Sequence, residues 1–122
     1  VEEEGVNEKM AEFINPVAYL GDQMTKFTTE IGFKGLQNPD EVGAAAVDYL
    51  RVAGHLVFGY LFARMAQVAL REIAAGNTDP FYGAKLQTAR FYFAKLFPET
   101  ATLMRTARAG SKVLMDTDLA LA

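Results

Sequence analysis

His55 is the only histidine among the 122 residues, and it lies one helical turn after Arg51 and two after Asp48. At these steps of four and three, Asp48, Arg51 and His55 share one stripe of a helix. An acid, a guanidinium and an imidazole on one face can relay a proton. The same set more commonly forms an ion pair with a hydrogen-bonded ring, on a helix surface or at an interface. Ser111 is the only serine; it follows Gly110 and has no histidine near it in sequence, so the base that a nucleophilic hydroxyl requires is missing. The chain has no Cys, which removes thiolate chemistry, disulfides and sulfur-ligated metal. A single histidine, with neither Glu-x-x-His nor calcium-loop spacing, leaves a metal centre short of ligands. Neither glycine-rich phosphate signature occurs. Lys85 and Arg90 could meet an anion such as a nucleotide phosphate, although such residues more often pair with carboxylates on a neighbouring helix. The residues thus yield no catalytic set and no metal set, and they single out no cofactor-binding side chain.

The elements that must carry these residues read as helices, with no convincing period-2 strand. A first helical region is expected over about 7–34, with Val17, Leu20, Met24, Phe27 and Ile31 as its apolar stripe and Gly32 and Gly35 at its end. Asn15-Pro16 inside it reads either as a fresh cap or as a kink in one longer helix. Asn38, Pro39 and Glu41 form a capping-box-like start for a second helix, which continues to about Ala75 and stops at Gly76-Asn77. At 1.5 Å per residue it makes a rod roughly 50 Å long. Thr78-Asp79-Pro80 starts a third helix running to about Phe97, and Pro98 opens a fourth that ends near Gly110. Short connections imply antiparallel neighbours. The fold class is therefore all-α: an antiparallel bundle of about four helices around one long central helix, forming a single domain over 1–122 with 1–6 as a linker stub.

The second helix lacks a single polar face. Between the Asp48–Arg51–His55 side and an opposite group of Arg64, Gln67 and Arg71, its middle is apolar nearly all round, through Leu56, Val57, Phe58, Tyr60, Leu61 and Phe62. Such a helix is either wrapped by its three neighbours or in contact with another surface. Gly54 and Gly59 within it suit close helix–helix approach. On the third helix Tyr82, Leu86, Ala89, Phe93 and Leu96 form the expected core stripe, and Phe91 points away from it. The five methionines, Met10, Met24, Met65, Met104 and Met115, read as core filler. Asp48, Arg51, His55, Phe58 and Phe91 are the candidate interface residues.

Twelve Lys+Arg against fifteen Asp+Glu give a net charge of −3. Without clustered positive charge, nucleic acid and anionic membrane surfaces are poor partners. The longest uncharged apolar run, residues 52–63, is 12 residues, short of the ~18–20 of a membrane span. The start, Val-Glu-Glu-Glu, has no basic region before an apolar one, and a cytoplasmic location is the expectation.

Two runs carry a resemblance. One is Tyr49-Leu50-Arg51-Val52-Ala53-Gly54-His55 followed by Ala63-Arg64-Met65-Ala66. The other is residues 79–93, with Lys85-Leu86-Gln87-Thr88-Ala89-Arg90-Phe91-Tyr92 at its heart, continuing through Leu96-Phe97-Pro98-Glu99-Thr100 to Gly110 and Leu114-Met115. Over about 38–116 the chain resembles the extra C-terminal helical domain of large bacterial acyl-CoA dehydrogenases, nearest to the 3-methylmercaptopropionyl-CoA dehydrogenase type. The tail, residues 116–122, departs from the aromatic ending of that pattern. The resemblance implies an FAD flavoenzyme that removes hydrogens α and β to a thioester and passes electrons to an electron-transfer flavoprotein. Its base, flavin pocket and thioester pocket belong to upstream domains, so no catalytic residue transfers to this numbering. On that reading the chain is a C-terminal fragment that packs against the catalytic body or a neighbouring subunit of a homo-oligomer and binds no FAD itself. A stand-alone dimerising helical module and a bundle binding a small acid or thioester are the other readings.

Overall fold

In the computed structural model the described residues are 2–116 for the backbone and 8–116 for the side chains, so most of the divergent tail lies outside them. Helix α1 spans Glu2–Gln37, α2 Asp40–Ala74, α3 Pro80–Phe91, α4 Glu99–Ala107 and α5 Lys112–Met115, with a π-helical turn at Tyr92–Leu96 joining α3 towards α4. Among the described residues there is no strand.

One helix passes through Pro16, which decides between the two readings of Asn15-Pro16. Proline there removes an N–H and crowds the carbonyl one turn earlier, a cost of ~3 kcal/mol in a free helix. Burial on both sides offsets it: Met10 and Phe13 precede the proline, and Leu20, Met24 and Phe27 follow it, all inside the core. The helix also runs further than expected at both ends, being helical from Glu2, and it does not stop at Gly32 or Gly35. Gly35 instead lets α1 meet the start of α2, since a Cβ there would lie 2.6 Å from Val42 Cγ2.

Two buried clusters show how the helices run. Met10 and Phe13 of α1 pack with Ala63, Ala66, Ala69 and Leu70 of α2 and with Leu86 and Ala89 of α3. Leu20, Met24 and Phe27 pack with Ala45 and Val52 of α2, with Tyr92 and Phe97, and with Leu103, Met104 and Ala107 of α4. The start of α1 thus meets the end of α2, and the segment from α3 through α4 returns along α2, giving an all-α antiparallel bundle with α2 between the other two layers. Asp79 caps α3 as its spacing suggests, accepting from Phe81 N–H at 3.0 Å with Pro80 in the first turn.

The π-helical turn alters the third helix's face. The N–H of Phe97 donates to Tyr92 O at 2.9 Å, an i→i+5 bond that inserts one residue into the helix. The stripe expected through Phe93 and Leu96 therefore slips: Tyr92 and Phe97 are buried, Phe93 is half-buried and Leu96 is exposed. Phe97 then reaches α2 at Gly59, where a Cβ would stand 2.9 Å from the ring and 3.1 Å from a Val17 methyl. Close approach, expected at both Gly54 and Gly59, holds at Gly59 only. A Cβ on Gly54 would meet nothing within 4 Å.

The apolar midsection of α2 is not enclosed. Leu56 and Phe62 pack against the core, but Val57, Phe58, Tyr60 and Leu61 are exposed, so wrapping by three neighbours fails. Met10, Met24 and Met104 are core filler and Met65 lies beside it, but Met115, on the one-turn helix α5, is exposed. By length and composition α2 is apolar enough to cross a membrane although its longest uncharged run is short, a property that the core helix of a bundle shares. The difference lies in tolerating the charges that bound that run, Arg51 and Arg64.

Gly59→Ala is expected to destabilise the chain by about 1–3 kcal/mol, because the buried Phe97 ring cannot yield freely. Gly21→Ala, whose added methyl meets open space within α1, is expected to stabilise it by up to ~1 kcal/mol. Thermal melts followed by circular dichroism compare the two.

Candidate functional site

The histidine stripe on α2 meets the junction between the π-helical turn and α4. His55 Nε2 donates to Glu99 Oε2 at 2.7 Å, and Arg51 donates to the other carboxylate oxygen at 2.8 Å. On the ring's other side, Nδ1 lies 2.9 Å from the Tyr92 hydroxyl, which also reaches the His55 carbonyl at 3.2 Å. A carboxylate only accepts, so Nε2 carries a proton. With neutral imidazole the Tyr92 O–H donates to Nδ1. With imidazolium, Nδ1–H donates to the phenol oxygen, whose own proton turns to the carbonyl. Either charge state of His55 is therefore fully bonded.

Asp48, expected on this stripe, has no hydrogen-bond or ion-pair partner among the described residues. The acid that joins Arg51 and His55 is Glu99, 44 residues further on. Nothing in helical spacing reveals a partner so distant, although both Tyr92 and Glu99 stand inside the runs that carry the family resemblance. The imidazole is 15 % exposed and the Arg51 side chain 64 %, so the cluster is closed at the ring and wet at the guanidinium. The rings of Tyr92 and Phe62 stack at 4.4 Å, and Phe97 meets His55 edge-on at 6.3 Å, which hold the ring's plane.

A second long-range acid sits at the other end. Glu41, expected to close a capping box, instead accepts from the Ser111 hydroxyl at 2.6 Å and the Ser111 N–H at 3.3 Å. Gly110, at φ +84°, takes the left-handed turn that ends α4 and presents both donors. Asn38 does bond the helix start, through Asp40 N–H at 3.1 Å. Ser111 is thus a buried structural donor. Arg90 pairs with Glu12 on α1 at 2.9 Å, the neighbouring-helix pairing expected, whereas Lys85 lies over the Phe81 ring of its own helix at 5.0 Å. Phe58 and Phe91 are both more than half exposed, on different helices. Among the described residues no group of three His, Asp or Glu could hold a metal ion.

What the His55 cluster can do is fasten the π-turn and the start of α4 to α2 through charge-assisted bonds. The hydrogen bond from His55, with the nearby Arg51 and His55 charges adding, holds the Glu99 carboxyl below its ordinary range, and the Ser111 bonds do the same for Glu41. Burial, with the Glu99 charge adding, pushes the Tyr92 hydroxyl up to about 12.

The signs follow from linkage. The depressed carboxyls contribute stability that is present above the ordinary 4.5 and lost as pH falls through their lower folded values. The raised phenol contributes stability that is complete below 10.0 and lost as pH rises to about 12. Melting temperature is therefore expected to fall on acidification below pH 4.5, less steeply in Glu99→Gln and Glu41→Gln. It is expected to fall again above pH 10.0, but not in Tyr92→Phe, which loses about 1 kcal/mol at neutral pH for its missing hydrogen bond. Melts across the pH range in one buffer series check both limbs.

No curated protein matches the chain. A sequence family described as acetyl-CoA dehydrogenase C-terminal like matches residues 1–118, nearly the whole chain and all of the helices described above. The chain belongs to this family of C-terminal acyl-CoA dehydrogenase domains.

Proposed function

We propose that the chain is the accessory C-terminal domain of a larger FAD-dependent acyl-CoA dehydrogenase and has no catalysis of its own. It packs against the catalytic body or a neighbouring subunit of a homo-oligomer. The parent enzyme, of the 3-methylmercaptopropionyl-CoA type, removes hydrogens α and β to a thioester, hands electrons to an electron-transfer flavoprotein and works in cytoplasmic fatty acid metabolism. The observation that carries this reading is the family match over 1–118 on a bundle whose polar clusters are self-satisfied.

The widest apolar groove described on the bundle does not fit a flavin. The groove of about 550 Å³ between α1 and α2 is lined by Ile31, Val42, Ala45, Leu50 and similar groups, with no cation for a pyrophosphate. Its two hydroxyls, Thr28 and Tyr49, bond each other at 2.7 Å. On this proposal the cofactor and the reacting thioester belong to other domains of the parent, and no chemical step is assigned to this chain.

A stand-alone interaction module is the second reading, favoured by the exposed apolar side of α2. The open reading frame upstream of Val1 separates the two: a long frame encoding flavin-binding domains supports the accessory domain, and a complete short frame overturns it. The purified chain is expected to be colourless, and stoichiometric FAD would contradict the proposal. Phe91→Glu is expected to leave the isolated chain's stability within about 0.5 kcal/mol. In the whole enzyme the same change lowers the melting temperature if Phe91 lies in the docked surface.

A further inference from the structure

We propose that the groove between α1 and α4 is a binding site for a small monocarboxylate with an apolar body. The inference goes beyond the docking role proposed above and requires no chemistry from this chain. The groove has a volume of about 360 Å³, within the range of small-molecule sites. Leu20 of α1, Met104 of α4 and Phe97 just before α4 are buried and form its apolar floor. Gln23 of α1 and Thr100, Arg105 and Arg108 of α4 add polar groups to the same groove. A few polar groups converging over an apolar floor can hold an apolar body and orient its polar end.

Thr100 singles this groove out. Ser111 and Thr100 both carry buried aliphatic hydroxyls, and that of Ser111 donates to Glu41. The Thr100 hydroxyl has no partner among the described residues, although Thr100 is only 6 % exposed. Sealing a hydroxyl in a core without a partner is costly. Among the described residues no fully sealed side-chain polar atom lacks a partner. The Thr100 hydroxyl therefore keeps its small exposure on the groove that the residue lines, where a ligand atom can bond it.

Charge sets the sign of the ligand. Arg105 and Arg108 stand about one turn apart on the same side of α4. Arg105 has no ion-pair partner among the described residues. Arg108 lies 3.5 Å from Glu30, whose other oxygen is 3.7 Å from Lys34, so one carboxylate serves two cations. Positive charge is thus in excess along this rim. Cations near the end of α4 also complement its dipole. That accounts for the two arginines but not for the open hydroxyl at the other end of the same helix. A guanidinium fork matches a carboxylate through two parallel hydrogen bonds. The volume limits the apolar body to a single ring or a short alkyl chain.

A chemical-shift titration of the isotope-labelled chain with phenylacetate and with octanoate reads the site directly. Saturable shifts centred on Thr100, Ala101 and Arg105 are expected from at least one of them, with a Kd of about 1 mM or below. Neutral phenylacetamide is expected to bind about tenfold more weakly than phenylacetate, and Arg105→Gln to weaken the acid by a similar factor. Thr100→Val is expected to weaken binding about threefold without lowering the melting temperature, because no hydrogen bond within the chain is lost. No saturable shift from either acid up to about 10 mM overturns the inference. An amide that binds as tightly as its acid also overturns it, because the groove is then merely apolar. So do equal shifts from inorganic phosphate, which mark an unselective cation patch. A lower melting temperature for Thr100→Val assigns the hydroxyl to the fold and overturns it too. The titration does not depend on the upstream reading frame, so this inference and the accessory-domain proposal fail separately.

Discussion

Phe97 reaches the core only because Gly59 has no side chain, and it faces Gly59 only because the helix carrying it takes one extra residue in the π-helical turn. This contact ties all three layers together, since a methyl of Val17 on α1 sits at the same spot. A regular α-helix through Tyr92–Leu96 would rotate everything after it by about 100°. Leu96 would then enter the core, Phe97 would leave it, and Glu99 would swing away from His55. The irregular backbone is thus tied to the polar cluster: the π-turn places Tyr92 and Glu99 on the two sides of one imidazole, and their bonds to it hold the turn in place.

The two polar attachments divide the work along α2. Glu41 at its start holds the turn after α4, and His55 with Arg51 at its middle holds the beginning of α4. Both use a carboxylate with more than one donor, which makes them stronger than neutral hydrogen bonds and directional where apolar packing is not. The helix between them, α4, has only nine residues, too few to be stable alone, and it is held at both ends. The other end of α2 has no such attachment described. There alanines let α1 and α3 come close, and aromatic rings from Phe13 through Phe93 to Phe97 bridge the two buried clusters.

What was legible in the sequence follows from which interactions are local. The number and order of the four principal helices, the Asp79 cap, the glycine stops at Gly76 and Gly110 and most of the α1 stripe depend on neighbours within a turn or two, and they read correctly. Glu41 was misread because a capping acid and an acid serving a partner 70 residues away look identical in sequence. The histidine cluster was half legible: spacing put Arg51 and His55 together but supplied Asp48 as the acid, since only the folded chain brings Glu99 to them. The π-turn left no mark in the apolar pattern, so the stripe expected through Phe93 and Leu96 slipped by one residue.

The exposed side of α2 poses a choice of surroundings, and the rest of the bundle narrows it. Taken alone, the helix is long and apolar enough for a bilayer. It is not alone: α1 runs beside it with Glu12, Asp22, Lys26, Glu30 and Lys34 in exposed or half-exposed ion pairs. Sinking the back of α2 into lipid would draw those charges towards hydrocarbon, at about 2.5–3.5 kcal/mol for each charge near the centre. A protein surface imposes no such requirement, because it can cover a narrow apolar stripe and leave the flanking charges in water. The outward aromatics of α3, Phe81 and Phe91, are exposed on a different helix and can be covered in the same way.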